Sequence, residues 1–161
     1  MALAYVARFA TSAAKLQDYL RRKLRERGWE GEGEPPVEAL VTRFVAAGYV
    51  DDEAFARART GSLLRRGYGK RRISQALGQA GIEEDLRSAL APELAEQRRA
   101  ALALARKRRI GPFATVPADR PTREKHLAAL LRAGHPLDIA RYLVDCSSVE
   151  AAEEWAASDE D

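Results

Sequence analysis

Seven residues between positions 57 and 72 are basic (Arg57, Arg59, Arg65, Arg66, Lys70, Arg71 and Arg72) and none is acidic. Arginine forks engage phosphates or carboxylates bidentately, and a helix starting at Gly69 would offer free backbone amides to an anion. The run reads either as a contact surface for an anionic partner or as a solvated basic face. Arg98, Arg99, Arg106, Lys107, Arg108 and Arg109 form a second cluster with no acid between its ends, and Arg21, Arg22, Lys23, Arg25 and Arg27 a third. Such spacing suits a discontinuous positive track along an elongated body, matched to a groove rather than to a compact pocket. Whether the clusters share a face is not determined by the sequence.

Tyr49, Tyr68 and Trp29 lie beside these clusters, where they either stack on bases or complete the core at helix junctions. His126 and His135 have no neighbouring Cys and no close carboxylate pattern, so surface or capping roles are expected of them. The serines and Cys146 lack a nearby base, and no phosphate-binding loop occurs. No catalytic residue, metal site or cofactor is therefore expected. A single cysteine excludes an internal disulfide and fits a reducing cytoplasm. Cys146 itself closes an apolar stripe with Tyr142 and Leu143.

The elements that must position these groups are helices. Apolar residues recur at helical spacing, clearest in Val37, Leu40, Val41, Phe44, Val45 and in Ile73, Ala76, Leu77, Ala80, and no alternating or β-branched run appears. Shorter stripes are Leu86, Ala89, Leu90, then Leu127, Leu130, Leu131, then Ile139, Tyr142, Leu143. Gly28, Gly48, Gly67, Gly81 and Gly134 mark helix ends; Pro35-Pro36, Asp51-Asp52 and Pro121-Thr122 mark starts. The fold class is all-α, built of short helices.

Three of those glycines each follow a leucine by four, and Gly28, Gly81 and Gly134 are spaced by 53 residues in both intervals. Leu86 and Leu90 after Gly81 are answered by Ile139 and Leu143 after Gly134. This pattern predicts three-helix repeats over residues 1–48, 49–91 and 92–146, each too small to stand alone and so sharing interfaces with its neighbours. Residues 147–161 hold six acids and no Lys or Arg, which predicts a disordered acidic tail. It either aids solubility or competes with DNA for the basic track. Without it the chain sets 27 Lys and Arg against 18 Asp and Glu, a net +9. Such a body favours a polyanionic partner or serves solubility. No basic leader with an apolar core and no membrane-length apolar run is present, so no membrane partner is expected.

The segments Gly48-Tyr-Val-Asp-Asp-Glu-Ala-Phe-Ala56, Arg65-Arg-Gly-Tyr-Gly-Lys-Arg-Arg-Ile73 and Leu77-Gly-Gln-Ala-Gly-Ile82 resemble the signature of the RecX family of recombination regulators. Ala2-Leu-Ala-Tyr5, Ser12 and Leu16 to Gly28 support it in the first unit, and Leu130-Leu-Arg-Ala-Gly134 in the third. The resemblance implies an elongated, curved array of three-helix repeats. It further implies lodging in the groove of the RecA filament on single-stranded DNA and restraint of its ATP-driven activity, by a non-enzymatic, monomeric protein of the bacterial cytoplasm.

Within the signature, Gly48, Tyr49, Asp51, Asp52, Phe55, Gly69, Ile73, Leu77 and Gly81 read as architectural: Gly48 stops a helix, Asp51 or Asp52 caps the next, and Phe55 with Ala56 docks it. Gly67-Tyr68-Gly69 turns the chain between two basic segments and aims them. Arg57, Arg65, Arg66, Lys70, Arg71 and Arg72, with Arg21, Arg22, Arg106, Lys107, Arg108 and Arg109, are the expected contacts to RecA or DNA. Three departures from the family pattern stand out: Lys15, the insertion with Gly31 and Gly33, and Arg59. The stem of Arg59 either packs inward with its guanidinium reaching toward Asp52, or the second core is loose there. The competing reading is a free-standing basic helical module that coats DNA; a third is a passive helical scaffold for another protein.

Overall fold

Four helices begin at a side chain that accepts the amide three residues on: Ser12 from Lys15, Asp51 from Ala54, Asp119 from Thr122 and Ser148 from Ala151, at 2.9–3.2 Å. The computed structural model describes residues 1–158. Its helices are α1 (Ala2–Arg8), α2 (Ala13–Arg27), α3 (Val37–Ala46), α4 (Asp52–Arg65), α5 (Lys70–Gln79), α6 (Glu84–Ala89), α7 (Leu94–Arg108), α8 (Arg120–Arg132), α9 (Leu137–Asp145) and α10 (Val149–Ala157), with a 3-10 turn at Gly111–Phe113. No strand occurs among the described residues.

Each successive trio of helices encloses its own apolar cluster. Leu16, Leu20 and Val41 fill the first, Ala56, Leu63, Ile73 and Leu77 the second, and Leu104, Ile110, Leu130, Ile139 and Leu143 the third. Val50, expected in the second unit, packs into the first core instead. Val45 and Tyr142, placed by spacing on buried stripes, are exposed, since helices this short turn only a narrow face inward.

The units join through the ends of their middle helices. At the first seam the Ser12 hydroxyl donates to Ala80 O at 2.5 Å, and Ala13 N–H at the start of α2 donates to Asp52 Oδ1 at 2.8 Å. Asp51 therefore caps α4 while Asp52 ties two units together. At the second seam Gly69 N–H donates to Ala133 O at 2.8 Å and Arg71 N–H to Gly134 O at 3.2 Å. In both, the carbonyl end of one middle helix meets the amide end of the preceding one (α5 on α2, α8 on α5), so unpaired terminal groups and opposed dipole ends satisfy each other. Gly81 (φ +75°) and Gly134 (φ +95°) sit at these joints. A Cβ on Gly81 would collide with Ala14 Cβ, and one on Gly134 would lie 2.7 Å from Arg72 Cβ. The 53 residues between Gly81 and Gly134 are the repeat of the joint, whereas Gly28 has nothing packed against it.

Two expectations are corrected. Residues 149–157 are not a disordered tail: α10 packs on α7, burying Ala152 and Ala156 completely or nearly so and stacking Trp155 on Tyr142 at 4.3 Å. Acid content hid a short apolar stripe (Val149, Ala152, Trp155, Ala156) behind a Ser148 cap. Asp159, Glu160 and Asp161 lie outside the described residues. Arg59 is exposed and, among the described residues, pairs with no carboxylate, because α4 turns Ala56, Thr60 and Leu63 inward with Phe55 packed at the edge of the core.

Candidate functional site

The three basic clusters differ in what surrounds them. In the first unit Arg21 pairs with Glu38 at 3.1 Å, while Arg22 and Lys23 share Glu26 at 3.8 and 2.5 Å. The hydrogen bond from Lys23 holds the Glu26 carboxyl below its ordinary pKa. Arg57 pairs with Glu53 one turn back at 2.7 Å. On α7 the Arg98 side chain is nearly buried, lies over the Trp155 ring at 5.4 Å and donates to the Ser158 carbonyl and hydroxyl. Arg106 pairs with Glu153 of α10 at 2.5 Å. Lys107, Arg108 and Arg109 remain exposed beyond it. In contrast, Arg65, Arg66, Lys70, Arg71 and Arg72 are all exposed, and no carboxylate of the described residues pairs with any of them.

That open segment sits on a rigid mount. Gly67 and Tyr68 close α4 through bonds to Leu64 O and Leu63 O, and the turn is then clamped by the third unit. His135 Nε2 bonds Gly67 O at 2.8 Å, and Gly69 N–H is held by Ala133 O. Tyr68 packs between the second and third cores, with the guanidinium groups of Arg66 and Arg72 at 5.3 and 5.9 Å from its ring. The turn therefore does hold the two basic segments in fixed relation. The expected free amides at the start of α5 are not all available, since the α8 carbonyls take those of Gly69 and Arg71. Nor is His135 a surface residue: it is wholly buried, its Nδ1 has no partner, and burial pushes its pKa down.

Of the other aromatic candidates, Tyr49 leans on Phe44 and the Trp29 indole donates to Gly33 O at 3.1 Å. Trp29 also walls a groove of about 680 Å3 with Arg21 and Arg25, but Glu34 and Glu38 line it too. Arg87 and Arg132, which belong to none of the basic clusters in the sequence, join Arg71 and Arg72 in one cleft between α5 and α8. No local signal could mark them, because the seam alone brings them together. Among the described residues no group of three potential metal ligands assembles. Cys146 packs against the third core, with its thiol on Ser148 O.

A family model described as RecX, second three-helix domain, matches residues 51–89, which span α4 to α6. The regulatory protein RecX of Myxococcus xanthus is 37% identical over 153 residues, covering 89% of this chain and 82% of its own. The chain belongs to the RecX family. The regulatory protein RecX of Agrobacterium fabrum is 31% identical over 141 residues, covering 85% of this chain and 76% of its own. The crystal structure of RecX from Lactobacillus salivarius has the same fold, with a TM-score of 0.70 over 89% of each chain at 17% identity. For this RecX-family chain, the matched residues 51–89 contain the open basic segment and the turn that mounts it. Among the described residues no helix is long and apolar enough to cross a membrane.

Proposed function

We propose that this chain is a regulator that binds the groove of the RecA filament on single-stranded DNA and restrains its recombinase and ATPase activity. It acts by binding rather than by catalysis, as a monomer in the bacterial cytoplasm. One observation carries the reading: Arg65, Arg66, Lys70, Arg71 and Arg72 stand exposed and unpaired among the described residues, on a turn immobilised by the next unit. Holding five cations without counter-charges costs self-repulsion, which an anionic partner would relieve. Family membership supplies the kind of partner. Arg57, Arg21, Arg22, Arg106, Lys107, Arg108 and Arg109 extend the contact along the chain.

The test is ATP hydrolysis by RecA on single-stranded DNA. Stoichiometric parent protein lowers the rate, and Arg65→Glu with Arg66→Glu abolishes the effect; a parent that leaves the rate unchanged overturns the proposal. The same open face also favours a module that coats bare DNA. That reading predicts steeply salt-dependent DNA binding with no action on RecA.

A further inference from the structure

Arg71 and Arg72 from the first turn of α5, Arg87 from α6 and Arg132 from the last turn of α8 converge on a cleft of about 340 Å3, whose lining contains no carboxylate. The seam produces the convergence. Gly134, which has no room for a Cβ against Arg72, lets the α8 backbone accept the Arg71 amide and so sets Arg132 beside the start of α5. Arg87 reaches in from the other side. Its guanidinium lies over Gly78, where a Cβ would fall 2.8 Å from Nη1. Its bonds are poor: Nη1 meets Ser74 O at 3.4 Å, Nη2 meets Glu84 at 3.5 Å, and Nε is buried with no acceptor. Among the described residues, Glu84 is the one carboxylate that pairs with any of these arginines, and its side chain is 84% exposed. Arg71, Arg72 and Arg132 pair with no acid among the described residues.

Four arginines lining one small opening suit a multi-oxygen anion. A phosphate offers more acceptor oxygens and more charge than a carboxylate, and can accept from several forks at once. Ser74 and Gln75 in the lining add neutral donors of the kind that contact phosphate and sugar oxygens. Resting on the regulatory reading above, we infer that this cleft binds a backbone phosphate of single-stranded nucleic acid. The bound phosphate bridges the second and third units, so occupancy also tightens their seam.

The experiment is anisotropy of a labelled oligothymidylate with the full chain over a range of salt. Arg132→Ala, an exposed position at a helix end, weakens binding about tenfold and lowers the log–log salt slope by about 0.7. Arg43→Ala, an exposed cation on α3 outside the cleft, changes neither beyond the effect of one distant charge. Arg132→Lys keeps the charge but not the fork, and recovers the slope while remaining weaker than the parent. Oligothymidylate raises the unfolding midpoint of the parent more than that of Arg132→Ala. Equal losses in Arg132→Ala and Arg43→Ala would overturn the proposal, as would loss of polyglutamate binding by Arg132→Ala with oligothymidylate binding intact. Each arm is read without RecA, so failure here and failure of the ATPase test are separate results.

Discussion

The turn from Arg65 to Arg72 and helix α7 carry similar positive charge in different settings. Around the first, the neighbouring unit supplies backbone carbonyls and one buried histidine, but no carboxylate of the described residues pairs with it. Across the second lies α10, which places Glu153 on Arg106 and covers Arg98 with Trp155, leaving Lys107, Arg108 and Arg109 exposed beyond it. The lesson is that charge density in a sequence does not indicate availability. What decides it is whether the packed neighbour brings backbone or acid to the surface.

The strongest way to break this contrast is at the joint that builds the open face. Gly134→Ala forces a Cβ into Arg72 at a φ that L residues avoid, and should cost about 3 kcal/mol in urea unfolding, with the Arg65–Arg72 surface lost alongside. Next is Trp155→Ala, which removes the stack on Tyr142 and the cover on Arg98. A loss of about 2 kcal/mol is expected, discounted for a half-buried ring, together with tighter oligothymidylate binding as α7 is uncovered. An unchanged DNA affinity in that variant would show that α10 does not mask α7.

The third test concerns the buried histidine under the open turn. Burial lowers the His135 pKa, so the unfolded chain binds a proton that the folded chain refuses. Stability is full above the unfolded value of about 6.5 and falls as pH drops below it, with a slope approaching 1.4 kcal/mol per pH unit. His135→Gln should flatten that limb of the unfolding curve. Fourth, Arg109 ends α7 in the left-handed region at φ +56°, where glycine is favoured. Arg109→Gly should stabilise the fold by about 1 kcal/mol while removing one cation, which separates charge from order in the α7 cluster. The smallest effect is expected of Glu153→Gln: the pair is half exposed, so stability should move by less than about 0.5 kcal/mol, but the freed Arg106 should steepen the salt dependence of DNA binding.

Much of the fold was legible because its signals are local. The cap at Asp51, the stripe from Ile73 to Ala80 and the glycines at 48, 67, 81 and 134 each act within a few residues of themselves. The site was legible only in part. Arg65, Arg66 and Lys70 to Arg72 stand together in the chain, but Arg87 and Arg132 reach the same cleft from 15 and 60 residues beyond Arg72.

By itself, then, the sequence determined that the chain is helical, where its helices stop, that its units repeat and which family it resembles, since periodicity and capping are short-range effects. Only the tertiary structure decided that Arg65, Arg66, Lys70, Arg71 and Arg72 stay open while Arg98 and Arg106 are taken up. It also decided that an acidic C-terminal stretch becomes a packed helix, and that the amides starting α5 serve the seam rather than an anion. Those outcomes depend on which helix end meets which, and backbone groups at helix ends take whatever partner the packing of the next unit presents.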